Sequence, residues 1–153
     1  MEGGAGILRR FIEDYHERLE EQFLFPRFER AGKLVELVGV LREQHERGRR
    51  LTDEVLRLAT SEGLSSPESR ARLTRTLQLF IRMYGPHAAH EDTVLFPALR
   101  QIVSANEYDA LGEDFERKEH ELFGEDGFER VVEEVATLEK VLVIGELASF
   151  TPR

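Results

Sequence analysis

The chain has no cysteine. Disulfides, iron–sulfur clusters and thiol chemistry are therefore excluded, and a reducing compartment is the expected setting. Basic residues are in deficit: 21 Lys and Arg stand against 30 Asp and Glu, for a formal charge of −9. Nucleic acid and anionic membrane both call for a basic face, so neither is expected as a partner. No apolar run approaches the roughly 20 residues of a membrane span, and MEGGAGILRR at the start lacks the apolar core of a signal peptide. A cytoplasmic protein is expected. No strand signal and no low-complexity segment interrupts the chain.

What is present is helical periodicity. The length of 153 residues, with 41% hydrophobic and 33% charged residues, suits one soluble, helix-rich domain. Leu8, Ile12, Leu19 and Phe23 recur at helical spacing with His16 in their stripe, and Ala31-Gly32 is a stop. A second helix, from about 33 to 60, carries Leu34, Val38, Leu41, His45, Thr52 and Val55 on one face, with Gly63 after it. A third opens at Ser65-Ser66-Pro67-Glu68, where serine caps, proline fills the first turn and glutamate can complete a capping box. Its stripe is Leu73, Leu77, Phe80, Tyr84, His87, Glu91, Val94 and Ala98, with a kink expected at Pro86. A fourth opens at Ser104-Ala-Asn-Glu107 and runs to Phe123-Gly124. A last stretch, with Val131, Val135, Leu138 and Leu142, could pack on the bundle or make a homodimer contact. The expected architecture is all-α: an antiparallel up-down four-helix bundle with an extra C-terminal helix.

Two segments are near copies. HERLEEQFLFP, residues 16–26, matches HAAHEDTVLFP, residues 87–97, so that His16 falls on His87, Glu20 on Glu91, and Leu24-Phe25-Pro26 on Leu95-Phe96-Pro97. Arg42-Glu-Gln-His45-Glu46 likewise resembles Arg117-Lys-Glu-His120-Glu121. The single domain over 1–153 therefore reads as two helical hairpins, about 7–62 and 66–123, plus a helix over about 128–147. Short connections make neighbouring helices antiparallel. His16 and His45 lie at similar distances from the Ala31-Gly32 turn, as do His87 and His120 from Ser104. At ~1.5 Å rise per residue, the four histidines come to similar heights.

Residues four apart lie one above the other on a helix face. His16 with Glu20, and His87 with Glu91, can each aim an imidazole and a carboxylate inward, where burial is costly without compensation. A pair of cations would compensate it, with two carboxylates bridging and histidines terminating. Imidazole with carboxylate suits iron, with manganese or zinc as alternatives, and redox chemistry with dioxygen favours iron. The bland reading of any one such histidine is a hydrogen-bonded core residue. The duplication favours the metal reading, with His16, Glu20, His45, His87, Glu91 and His120 as candidate ligands. His120 points away from Leu111, Phe115 and Leu122 on an ideal helix, so it needs a bulge or another core face to turn inward. His90 reads as surface or second layer. Glu17 and Glu21 are extra ligands or, more simply, exposed, and Tyr84 could hydrogen-bond within the site. The two Leu-Phe-Pro segments read as packing.

These residues resemble the hemerythrin-like family, the HHE cation-binding domain. The carriers are His16-x3-Glu20, His45, His87-x3-Glu91 followed by Leu95-Phe96-Pro97, and His120, over roughly residues 7–123. The resemblance implies a four-helix bundle around a non-haem di-iron centre, oxo- or hydroxo-bridged, that binds dioxygen, reacts with peroxide or nitric oxide, or senses oxygen or iron. Two positions depart from the family pattern. No histidine precedes His16; either a ligand is lost or His120 replaces it, and the repeat favours the second. One turn after His45, where oxygen carriers have another histidine, stands Arg49. Fewer histidines leave more open coordination positions, which favours reactive or sensory roles over reversible carriage.

Three functions stay open: a di-iron binder or sensor of a diatomic or peroxide ligand; a di-iron enzyme, peroxidase-like, catalase-like or ferroxidase; and a metal-free helical interaction module. Iron storage ranks low, because a ferritin-like bundle carries two Glu-x-x-His motifs and only Glu13-x-x-His16 fits.

Overall fold

A computed structural model describes residues 2–150. Among them there is no strand, and five helices carry the chain: α1 (residues 2–31), α2 (Val35–Leu58), α3 (residues 67–99), α4 (Ala105–Phe123) and α5 (Gly127–Leu142). No helix is long and apolar enough to cross a membrane among the described residues. The chain forms two compact units, a first ending at Phe115 and a second beginning at Glu116.

The predicted punctuation is visible in the backbone. Gly32 ends α1 at φ 62°, the left-handed region open to glycine, and its N–H donates to Glu29 O while Lys33 N–H donates to Phe28 O. Ser66 caps α3 by accepting from Ser69 N–H (3.4 Å). Its hydroxyl donates to Glu68 (2.7 Å), so Glu68 supports the cap without closing a reciprocal box. At α4 the box is complete: Ser104 N–H donates to Glu107 Oε2 (3.0 Å) and Glu107 N–H to Ser104 Oγ (3.3 Å). Helix α3 continues through Pro86.

In the first unit, α1, α2 and α3 pack around a core of Leu24, Phe25, Phe28, Val38, Leu41, Leu95 and Leu99, joined by Leu111 of α4. Complete burial of a Leu or Phe side chain contributes roughly 1.5–3 kcal/mol, and Phe25, Phe28 and Leu95 are wholly buried. Both Leu-Phe-Pro segments are thus packing features, as the sequence implies. The α2 stripe holds almost residue for residue: Val38, Leu41, His45, Thr52 and Val55 are all buried.

Helices α1 and α3 depart from simple α periodicity. Three stretches wind as wider π turns: Leu8–His16, Glu20–Leu24 and Glu91–Leu95. The last two are equivalent in the repeat. Phe25 N–H donates to Glu20 O and Phe96 N–H to Glu91 O, five residues back in each case. Proline follows each time, at Pro26 and Pro97. A proline has no N–H for the carbonyl four residues earlier, and its ring crowds that carbonyl, so the wider turn relieves the clash. The extra residue per turn shifts the buried face. Leu95 is buried in place of Val94, and on α1 the core takes Glu13 and Glu17 while Leu8 and Ile12 are only partly buried.

The second unit holds the last turns of α4 and helix α5. Gly127 packs against the Phe123 side chain, where a Cβ would come within 2.5 Å. Phe128 N–H donates to Glu119 (3.0 Å). Helix α5 stops at Leu142, short of the expected 147, because Val143 turns left-handed at φ 57°.

Candidate metal centre

Three of the first unit's helices deliver the repeated residues to one place. His16 and Glu20 come from α1, His45 from α2, and His87 and Glu91 from α3. His45 is wholly buried; Glu20, His87 and Glu91 are buried, and the His16 side chain keeps 42% exposure at the edge. His87 Nε2 stands 2.7 Å from Glu91 Oε1. His16 Nε2 stands 3.5 Å from Glu20 Oε1. His45 Nε2 faces both carboxylates, at 3.4 Å from Glu20 Oε2 and 3.7 Å from Glu91 Oε1. Potential donor atoms of His45, His87 and Glu91 lie within 4.8 Å of one another, as do those of His16, Glu20 and Glu91. The two trios share Glu91.

The outer nitrogens of His45 and His87 are engaged by polar side chains. Glu21 is held ionised: burial works against its charge, but a hydrogen bond from Arg49 (2.5 Å) and the Arg49 charge outweigh it and lower its pKa. It can only accept, so His45 Nδ1–H donates to Glu21 Oε1 (3.1 Å). His87 Nδ1–H donates to Gln44 Oε1 (2.9 Å). Each Nε2 is then left facing carboxylate oxygen. An imidazole nitrogen facing a carboxylate needs a proton or a cation between them. Consistently, His45 Nε2, both Glu20 oxygens and Glu91 Oε1 are buried without a well-formed hydrogen bond among the described residues. Orphaned atoms of this kind, with an imidazole–carboxylate donor set, fit a metal ion.

The charges say the same. Burial pushes the Glu20 pKa up, and the neighbouring Glu91 carboxylate pushes it further. Glu91 is buried too, yet its histidine neighbours hold it below the usual range. Two carboxylates at this separation do not both ionise without a cation. Desolvation lowers the His16 pKa, keeping that imidazole neutral and able to ligate.

A second layer surrounds these groups, and the sequence foretold little of it. Glu17, expected to be exposed, is wholly buried; it pairs with Arg49 (2.9 Å) and accepts from the Tyr84 hydroxyl. Tyr84 approaches this closely because residue 48 is glycine: a Cβ there would sit 2.9 Å from the tyrosine oxygen. Glu21 is half-buried between His45 and Arg49. Glu17, Glu21 and His45 form a third trio of potential ligands, and the Arg49 guanidinium already supplies its positive charge. Phe25 stacks on His45, with ring centroids 5.4 Å apart. Gln44 left no trace in the periodicity, because nothing in a lone glutamine marks it as the partner of a histidine. His90 is exposed and donates to Pro86 O (2.7 Å), as a surface residue does.

His120 is not brought into this constellation. It is exposed, at the end of α4 in the second unit, and belongs to no such trio among the described residues. Helix α4 is regular over Ala105–Phe123, so no local bulge turns His120 toward the side that buries Leu111.

The model of the hemerythrin HHE cation-binding domain matches residues 4–99, well over half of the chain. The chain belongs to this family, and the match ends before His120. Relatives described as uncharacterized proteins of Mycobacterium tuberculosis and Mycobacterium bovis are 52% identical over 148 residues. That alignment takes in 97% of this chain and 58% of each relative, so the chain spans little more than half the length of the relatives it matches. No solved structure matches it.

Proposed function

We propose that the chain is a non-haem iron protein of the cytoplasm that binds or senses dioxygen, peroxide or nitric oxide at a two-iron site. His45, His87 and Glu91 would hold one ion, and His16, Glu20 and Glu91 the other. Bound there, the ions would supply a redox couple and open positions for a small oxidant. The carrying observation is His45: its Nδ1–H is committed to Glu21, and its buried Nε2 faces Glu20 and Glu91 with no donor between. The protein's own part is to hold those side chains, keep His16 neutral, and shield the inner ligands from water. Arg49, in the place where oxygen carriers have a histidine, is engaged with Glu17 and Glu21, which supports reaction or sensing over reversible carriage. The exposed edge at His16 also favours a second reading, catalytic breakdown of peroxide.

Metal analysis of protein produced with iron tests the proposal, together with spectra taken under oxygen, nitric oxide and peroxide. About two iron atoms per chain, with a spectrum that shifts on gas binding without turnover, support a binder or sensor. Sustained loss of peroxide supports the enzyme. Protein that stays colourless and metal-free contradicts both.

A further inference from the structure

Beside His16 and Glu20 lies a cavity of about 320 Å³. Its wall is mostly apolar, from Leu24, Phe96, Leu99, Leu111 and Phe115 with two tyrosines beside them, while the ionisable pair His16 and Glu20 stands together at one place on it. A diatomic ligand needs no such space: one water occupies ~30 Å³ of liquid, and an apolar cavity of ~150 Å³ is enough to hold benzene. A pocket with a mostly apolar wall and a few convergent polar groups suits a ligand with an apolar body and one polar end.

A second feature sits on the same wall. Gly112 lies inside α4, where glycine costs a helix about 1 kcal/mol relative to alanine. It has helical backbone and does not need glycine's conformational freedom. A Cβ built there meets nothing within 4 Å. Gly112 is exposed and stands among the residues lining the cavity, so a larger side chain can be introduced there without a clash at its Cβ.

We propose that this cavity binds a small apolar organic molecule with one oxygen-bearing head, of the size and chemistry of an aryl-substituted alkyl hydroperoxide. The apolar body lies against Leu99, Leu111 and Phe115, and the head points to Glu20 and His16. The proposal names the ligand class of the metal centre, and it rests on that reading for the head group only; the apolar body is recognised by this chain's own side chains.

The test is calorimetric titration of the metal-free chain with 2-phenyl-2-propanol, an unreactive stand-in for cumene hydroperoxide, alongside iron analysis of the same preparations. Wild type is expected to bind, with ligand-to-protein nuclear Overhauser contacts to Leu99 and Leu111 methyl groups. Gly112→Phe, which fills the open space, is expected to weaken binding at least about tenfold, and Gly112→Ala to leave it within about twofold. No binding by wild type, contacts elsewhere, or equal binding by Gly112→Phe overturns the proposal. The wild-type contacts decide the matter without any variant. Iron content reports separately on the metal centre: protein that binds the alcohol yet loads no iron refutes the two-iron reading alone, and the reverse result refutes the cavity proposal alone.

Discussion

Glu91 Oε1 lies 2.7 Å from His87 Nε2, one turn apart on α3, and the same oxygen lies 3.7 Å from His45 Nε2 on α2. Glu91 is the only residue common to the two trios that contain His16, His87 or both. Glu91→Ala is therefore expected to impair both metal subsites, whereas His16→Ala impairs one. Iron per chain, measured by elemental analysis, should fall close to zero in the first variant and by about half in the second. Equal retention of iron in both would refute the shared role.

Arg49 holds two carboxylates, one of them wholly buried. Arg49→Ala leaves Glu17 without its cation. Breaking a buried pair costs about 3–5 kcal/mol; Arg49 keeps some solvent contact, so roughly 2–4 kcal/mol is expected here. Urea denaturation measures the loss. Adding Glu17→Gln to the variant should recover part of it, because the orphaned charge is then gone.

The metal-free chain should lose stability as pH rises above 6.5. Burial raises the pKa values of Glu13, Glu17 and Glu20 above their ordinary 4.5. A carboxyl raised in the folded state favours folding fully below its unfolded pKa, and that contribution disappears as pH climbs through the folded value. His16 is shifted the other way, lowered by desolvation from 6.5; its contribution is complete above 6.5 and is lost only as pH falls through the lowered value. Glu21 and Glu91, also lowered, act only at acid pH. Above 6.5 the Glu20 carboxyl is the raised group that sets the slope. Glu20, pushed up to about 9, titrates in this range, so thermal melts from pH 6.5 to 9 should show a falling Tm, less steep in Glu20→Gln. Iron should reverse the trend, because metal binding needs the carboxylates deprotonated.

Pro26 and Pro97 follow the two π turns that start at Glu20 and Glu91. Pro97→Ala restores an N–H that can donate four residues back, so the turn is expected to tighten and rotate Glu91. Helix content should hold or rise, while iron affinity falls about tenfold, in the range typical of losing an orienting contact. Circular dichroism with a ferrous titration checks both. Unchanged affinity would detach the proline from the site.

The same π turns explain what could and could not be read from the sequence. The α2 stripe was legible because that helix is regular, and it placed His45 in the seam directly. The repeat revealed His16, Glu20, His87 and Glu91, since duplicated chemistry survives any local change of winding. Glu13 and Glu17 were not legible, because the extra residue per turn before them moves the buried face in a way a fixed period cannot anticipate; Leu95 was legible through the Leu-Phe-Pro repeat, although the same period put Val94 in the stripe. Gln44 and Glu21 act through tertiary contacts to histidines on other helices or distant in sequence, and spacing carries no signal of that. His120 was placed by the repeat, by its distance from the Ser104 turn and by the family resemblance, while its exposed position on a regular helix follows the ideal-helix geometry that pointed it outward.

The most direct measurement is the metal content of the wild-type chain beside His45→Ala, both produced with iron and analysed by elemental spectrometry. The expected result is about two iron atoms per wild-type chain and a large loss in the variant, with helical content retained. Wild-type protein without metal, or a variant loaded as fully as wild type, would contradict the account.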